Sequence, residues 1–281
     1  MALLYAVHGD ESVDEAAERA FAVAGIFGTQ AEYDDLSIKW FERTKGIDFH
    51  AAECESDMGD FSGNSHAENL MIYHDLTRLL CSTKLLGVAM VVDLKAHQKH
   101  FPAAVEGDPY YTCFAHVLLS CAQLGCLSVP QGEVKFTFDR NLDKQHNATV
   151  LYEYMARMPE WRYHPYLAGE VGFASRKGNA GIQAADLFAR ESMKVLDNEI
   201  GPMKRCIRGS AQALRKTGRF CITVMDNQGL STLARQAEEL GNTLAGAKRS
   251  DFLAWLGKKG LIENTTNRIL YLAEIDRLNP K

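Results

Sequence analysis

Several features that mark other protein classes are missing from this chain of 281 residues. No apolar run approaches the roughly eighteen residues that a membrane-spanning helix needs, so no membrane contact is expected. The opening stretch MALLYAVHGDES has no charged start and turns acidic by Asp10, which argues against a secretory signal and for a cytoplasmic protein. Cysteine is present but unpaired in pattern. The seven residues Cys54, Cys81, Cys113, Cys121, Cys126, Cys206 and Cys221 are odd in number, scattered, and without a CxxC pair. That points to reduced core thiols rather than disulfides or zinc. There is no internal repeat, no low-complexity tract and no long linker, which removes solenoids, disordered chains and an enforced split into distant domains.

What is present is an uneven distribution of charge. The net charge is −5, yet residues 200–281 carry +7 and residues 1–199 carry −12. Lys204, Arg205, Arg208, Arg215, Lys216 and Arg219 follow one another without an intervening acid. A solvated helix face usually mixes signs, so this cluster calls for an anion: an external one such as nucleic acid, or the acidic body of the chain itself.

The pattern of elements is mixed. Leu3–Val7 and Phe21–Gly28 read as strands joined by a polar link, which suggests a hairpin. Helices are expected over Gln30–Thr44, Ala67–Cys81, Pro109–Gly125 and Asn147–Met158. Lys84–Asp93 is a nearly continuous apolar run, as in a buried central strand. Glu133–Asp139 alternates, placing Lys135, Thr137 and Asp139 on one face and Phe136 and Phe138 on the other. Tyr166–Phe173 and Arg219–Met225 are further strands, and helices are expected near 230–246 and 250–278. The fold class is therefore α/β with a mixed sheet and helices on both faces. Residues 1–199 form the expected core domain, and 200–281 a basic, mainly helical extension packed on it.

The helix expected over Gly178–Leu196 is the distinctive element. Ile182, Ala185, Ala189 and Met193 make an apolar stripe, and Asp186 sits inside it among alanines. An aspartate is expensive to bury unpaired, so it is either a functional acid or an edge residue paired with Arg190. Other acids share its address. Asp10 is expected to end the first strand and Asp139 ends a later one, while Glu53 lies in the DFHAAECE segment between them. Carboxylates gathered at strand ends repel one another and are best tolerated around a divalent cation. Hard oxygen donors of this type select Mg²⁺ or Mn²⁺, and two such ions about 4 Å apart support phosphodiester cleavage. Asp93 also ends a strand and stays a candidate.

Neighbouring residues supply further candidates. Glu11 competes with Asp10, although adjacent strand side chains face opposite ways, which leaves one of the two to enter the site. His50, three residues before Glu53, is a candidate proton shuttle. Lys177, with Arg176, is placed to hold a phosphate, and Gln183 lies one turn before Asp186 as a donor to it.

The segments YAVHGDESVD, FAVAGIFG, FHAAECE, FTFDRN and IQAADLFA together resemble the domain of unknown function 3800 family, over roughly residues 3–196. Members of that family open on an Asp-Glu-Ser-Gly strand end and close on a hydrophobic-Gln-x-Ala-Asp-Leu helix. Here Gly9 replaces an apolar residue and Val13 replaces the glycine. The resemblance implies a ribonuclease H-like fold, with Asp10, Asp139 and Asp186 as metal ligands, Glu53 as the fourth acid, and two-metal hydrolysis of nucleic acid. A Mg²⁺- or Mn²⁺-dependent nuclease is thus expected, its substrate gripped by Arg205, Arg208 and Arg215. The alternative is a catalytically silent ribonuclease H-like binding or regulatory protein of a mobile-element, defence or toxin–antitoxin system. A hydrolase of small phosphorylated substrates ranks third, and assembly into a homo-oligomer is compatible with all three.

Overall fold

The computed structural model describes residues 5–101, 108–128, 133–157, 163–167 and 169–244, with side chains described up to residue 235. Its sheet begins with a hairpin. β1 (Tyr5–Val13) pairs antiparallel with β2 (Ala20–Thr29), from Tyr5 opposite Thr29 to Val13 opposite Phe21. Asp14 organises the connection by accepting the N–H groups of Glu18, Arg19 and Ala20 at 3.1, 2.7 and 3.0 Å, as a short polar side chain does in a turn. β3 (Leu86–Asp93) runs antiparallel to β2, and β4 (Val134–Asp139) lies parallel to β1. β5 (Gly172–Ala174) adds beside β4, and β6 (Phe220–Met225) beside β3, both parallel to their neighbours. The order is β5-β4-β1-β2-β3-β6, and among these strands β2 runs against the rest.

The helices follow from capping and stripe. α1 (Gln30–Thr44) opens on a capping box of Thr29 and Glu32. Then come α2 (Ala51–Ser56) and α3 (His66–Ser82), the latter opened by a second capping box, Ser65 with Glu68. Next in the chain are α4 (Leu94–His100), α5 (Pro109–Ser128), α6 (Gln145–Ala156), α7 (Ala180–Ile200), α8 (Gly209–Lys216) and α9 (Asn227–Leu244). Each sheet face has its own core. Val7, Val23 and Phe27 pack with residues of α5 and α6, whereas Ala6, Ala24 and Ile26 pack with residues of α1, α3 and α7. α5 is long and apolar enough to cross a membrane by length and composition. In this fold it is a core helix, with Cys113, Phe114, Val117, Leu118 and Cys121 fully buried.

Four differences from the sequence expectations bear on the site. β1 does not stop at Val7. Hairpin pairing carries it to Val13, so Asp10 lies within the strand. The strand expected over 166–173 shrinks to β5, preceded by a 3-10 turn at His164–Tyr166, because Pro165 cannot donate to a ladder. The boundary at residue 199 falls within one structural unit, since β6 pairs with β3 along Gly87 to Val92. The helix expected over 250–278 lies outside the described residues. α7 differs too. Its apolar stripe predicts one buried face, yet every residue from Ala180 to Asn198 is buried. The helix lies between the sheet and the layer of α1, α2, α3 and α8, so its polar residues find partners instead of water.

Candidate carboxylate site

Register brings the first two acids together. β1 and β4 pair in parallel up to Gly9 opposite Phe138, and the next residues are Asp10 and Asp139. β4 stops there, so β1 continues with no partner on that side and its acids meet an open strand end. Gly9 makes the close approach possible: a Cβ at that position would lie 2.3 Å from the Phe138 ring. Asp186 comes from α7, which packs across β1 and β2. Gly181 lets this helix lie against β1, as a Cβ there would sit 2.6 Å from the His8 ring.

The three aspartates share one mode of anchoring. Asp10 Oδ1 accepts the N–H of Glu11 at 2.7 Å, and Asp186 Oδ2 accepts the N–H of Ala51, at the start of α2, at 2.7 Å. Asp139 Oδ1 accepts the N–H of Arg176 at 3.1 Å. Each acid therefore has one oxygen fixed by backbone, and among the described residues no hydrogen bond reaches the other. Asp10 and Asp186 are 5% and 3% exposed.

Electrostatics record the crowding. Burial, and then the charges of Asp186, Glu11 and Asp139, push the Asp10 carboxyl well above the usual carboxylate range. Burial also raises Asp186, opposed by His50, the Ala51 N–H, Arg176 and Arg190. Glu11 is raised by burial and by Asp139, against the hydrogen bond it accepts from Asn141 at 2.7 Å. As they stand, no three His, Cys, Asp or Glu side chains among the described residues form an assembled coordination set. What the fold provides is a set of neighbouring, backbone-anchored carboxylates, each with a free oxygen. No family model, curated protein or solved structure matches the chain.

Several candidates take other places. Glu53 does not join the three aspartates. As the third residue of α2 it folds back on its own N-cap, with its carboxylate 3.1 Å from His50 Nδ1 and 3.9 Å from Arg176. His50 and Arg176 in turn act on Asp186, so Glu53 is one layer further out. Glu11 is the fourth acid present, facing α5 rather than α7 yet close enough to act on Asp10. Asp93 instead caps α4, accepting the N–H of Ala96 at 3.0 Å. Gln183 makes no hydrogen bond to Asp186. It accepts from Trp40 Nε1 at 2.8 Å and donates to Asp48 and to the Arg176 carbonyl, which steadies the loop carrying Arg176. Lys177 is exposed, and the basic residue facing the acids is Arg176. Arg190 pairs with Glu55 at 2.9 Å rather than with Asp186.

The basic cluster divides into two populations. Arg208 is turned inward, 2.9 Å from Glu55, 3.5 Å from Glu191, and with its guanidinium 5.5 Å from the Tyr73 ring centroid. Arg219 donates to the Cys81 carbonyl at 2.6 Å. Lys204, Arg205, Arg215 and Lys216 are exposed. The inward pairing removes Arg208 from any phosphate-gripping surface. Its loss leaves Glu191, which is fully buried, without a counter-charge. Arg208→Ala should therefore cost about 3 kcal/mol in urea unfolding, and a loss below about 1 kcal/mol would reduce this contact to the rank of a surface pair.

The exposed members have the opposite signature. Arg205→Ala combined with Arg215→Ala should leave stability unchanged. It should reduce the slope of log binding constant against log salt for nucleic acid by roughly 1–2, one phosphate contact per arginine. A slope equal to that of the wild type would remove these residues from the interface.

Proposed function

We propose that this chain is a divalent-cation-dependent nuclease with a ribonuclease H-like core, hydrolysing phosphodiester bonds at Asp10, Asp139 and Asp186. The observation that carries the reading is the shared anchoring of these three acids, with one oxygen of each on a backbone N–H and the other free. The set is not a salt-bridge network: among the described residues no ion pair joins Asp10, Asp139 or Asp186 to a basic side chain, and Arg190 pairs with Glu55 instead. The topology supports the fold assignment. A five-strand run, β5-β4-β1-β2-β3, carries one acid within β1, one at the end of the adjacent parallel strand β4, and one on a helix crossing β1.

The donor set fits Mg²⁺ or Mn²⁺. It is all oxygen and carboxylate, with Asp10 and Asp186 buried and Asp139 half-buried, and its mutual repulsion is relieved by a hard cation. Asp10, Asp139 and Asp186 would hold the ions, with Glu11 beside them. When bound, two ions of this class supply an activated water and neutralise charge on the leaving oxygen. The protein's own contribution is rigidity: α7 is buried along its length, the start of α2 fixes Asp186, and the Arg176 N–H fixes Asp139. The substrate class follows from the exposed Arg205, Arg215, Lys204 and Lys216, which suit a polyanion.

The test is incubation of the purified protein with single- and double-stranded DNA and RNA, in Mn²⁺ and in EDTA. Cleavage of at least one substrate in Mn²⁺ alone supports the reading. Salt-sensitive binding with no cleavage of any of the four overturns it in favour of a catalytically silent nucleic-acid-binding protein.

A further inference from the structure

Beside the acids, on the α5 side of the sheet, lies an open cleft of about 470 Å³. Phe21 and Leu94 line its apolar wall, while Tyr110, Asp108, Asn141 and Lys144 bring polar groups to it. The Phe21 and Tyr110 rings are neighbours, with centroids 6.4 Å apart. Asn141 joins the cleft to the acid cluster, since its side-chain amide donates to Glu11 at 2.7 Å. Lys144 is held against Asp108 at the cleft and is one-third exposed.

Tyr110 is the group that asks for a ligand. Its side chain is 1% exposed, and its hydroxyl has no hydrogen-bond partner. Buried hydroxyls are nearly always satisfied, and among the unpartnered ones, which include Thr44 and Ser192, that of Tyr110 belongs to a residue lining this cleft, where a ligand can supply the acceptor. Burial and the Glu11 and Asp10 charges push the phenol well above its usual range, so it stays a donor at any working pH.

We propose that this cleft binds one nucleotide of the substrate, with its ring against the Phe21 and Leu94 wall and its phosphate at Lys144. The choice of a nucleotide rests on the nuclease reading, but the chemistry is independent of it. An aromatic wall, a cation, and amide and phenol donors in a volume of this size together match a ring bearing a phosphate. Asp108 competes with that phosphate for Lys144, which gives the proposal a test of sign.

The test is calorimetry of adenosine monophosphate, adenosine and inorganic phosphate binding in EDTA, on the full chain. Lys144→Ala should weaken adenosine monophosphate by about tenfold, the scale of one charge-assisted contact, and leave adenosine unaffected. Tyr110→Phe should weaken it severalfold with an unchanged melting temperature. Asp108→Asn keeps an acceptor for the Tyr110 N–H and should tighten binding of adenosine monophosphate and phosphate. Absence of binding by the wild type, or equal affinity in Lys144→Ala and Asp108→Asn, overturns the proposal. Binding of phosphate but not of adenosine monophosphate above it also overturns it, since the wall then contributes nothing. Asp186→Asn separates the two readings. It should retain adenosine monophosphate binding while losing cleavage, so cleavage without nucleotide binding sinks the cleft alone, and nucleotide binding without cleavage sinks the nuclease alone.

Discussion

On the proposed nuclease reading, Asp186→Asn will lower Mn²⁺-dependent cleavage by about two to three orders of magnitude, the loss that follows removal of one group stabilising charge in a transition state. Asparagine keeps the shape of the side chain and an oxygen to accept the Ala51 N–H, so α2 stays docked on α7. What disappears is the charge on the free oxygen. The melting temperature in EDTA should accordingly be equal to or above that of the wild type, because a buried carboxylate is replaced by a neutral group. A variant that melts earlier and is inactive would show only that α7 had been damaged. A variant that cleaves at the wild-type rate would remove Asp186 from the chemistry altogether.

Asp10→Asn provides the second large effect, on stability rather than rate. Burial and three neighbouring acids raise the Asp10 carboxyl in the folded chain above its unfolded value. Below the unfolded value both states are protonated and there is no penalty. As pH rises through the ordinary carboxylate range the unfolded chain gives up its proton first, and stability falls until the folded group ionises too. Asp10→Asn should therefore stabilise the cation-free protein at neutral pH by about 1–3 kcal/mol, the scale of an uncompensated buried polar group. That corresponds to roughly 2–4 °C per kcal/mol in melting temperature for a chain of this order. The gain should vanish in strong acid. Mn²⁺ should raise the melting temperature of the wild type and not of the variant, since a ligand that binds only the folded state stabilises it by mass action. A variant less stable than the wild type in EDTA at neutral pH, or one that gains equally from Mn²⁺, contradicts the repulsion described at this site.

The alternation in Glu133–Asp139 and the continuous apolar run before Asp93 were enough to read β4 and β3, because burial on one face or two leaves a period in the sequence. The helical stripe around Asp186 was equally plain. What the stripe could not convey was enclosure. Arg190, Glu191 and Asp197 look like a solvent face, yet each is buried with a partner that lies far away in the chain: Glu55, Tyr73 and Arg19. Glu191, for example, accepts from the Tyr73 hydroxyl at 2.6 Å, across more than a hundred residues. Asp139 was legible as a strand-end acid and Asp186 as a helix acid, whereas Asp10, expected at a strand end, lies within β1 because hairpin pairing runs on to Val13. The choice between Glu53 and Glu11 was not, since it turns on where β4 stops and on a six-residue helix folding back on its own N-cap. Tyr110 and Asn141 carry no spacing signal. Tyr110 reads as one more aromatic of an apolar helix, and only the docking of α5 shows its hydroxyl without a partner.

The burial of α7 on every side has a consequence for the timing of site assembly. A helix buried from Ala180 to Asn198 can fray only at its last two residues, so the amide hydrogens of the rest should exchange only when the surrounding layers come apart. Asp186 should thereby sit among the slowest-exchanging residues, whereas Asp139 closes a six-residue strand whose next neighbour, β5, spans three residues. The carboxylate site proposed to take a cation thus joins one firmly enclosed acid to one on a short strand pair. Loading it should slow exchange most along β4, β5 and the loop carrying Arg176, with little change in α7, which is already at the limit set by global unfolding.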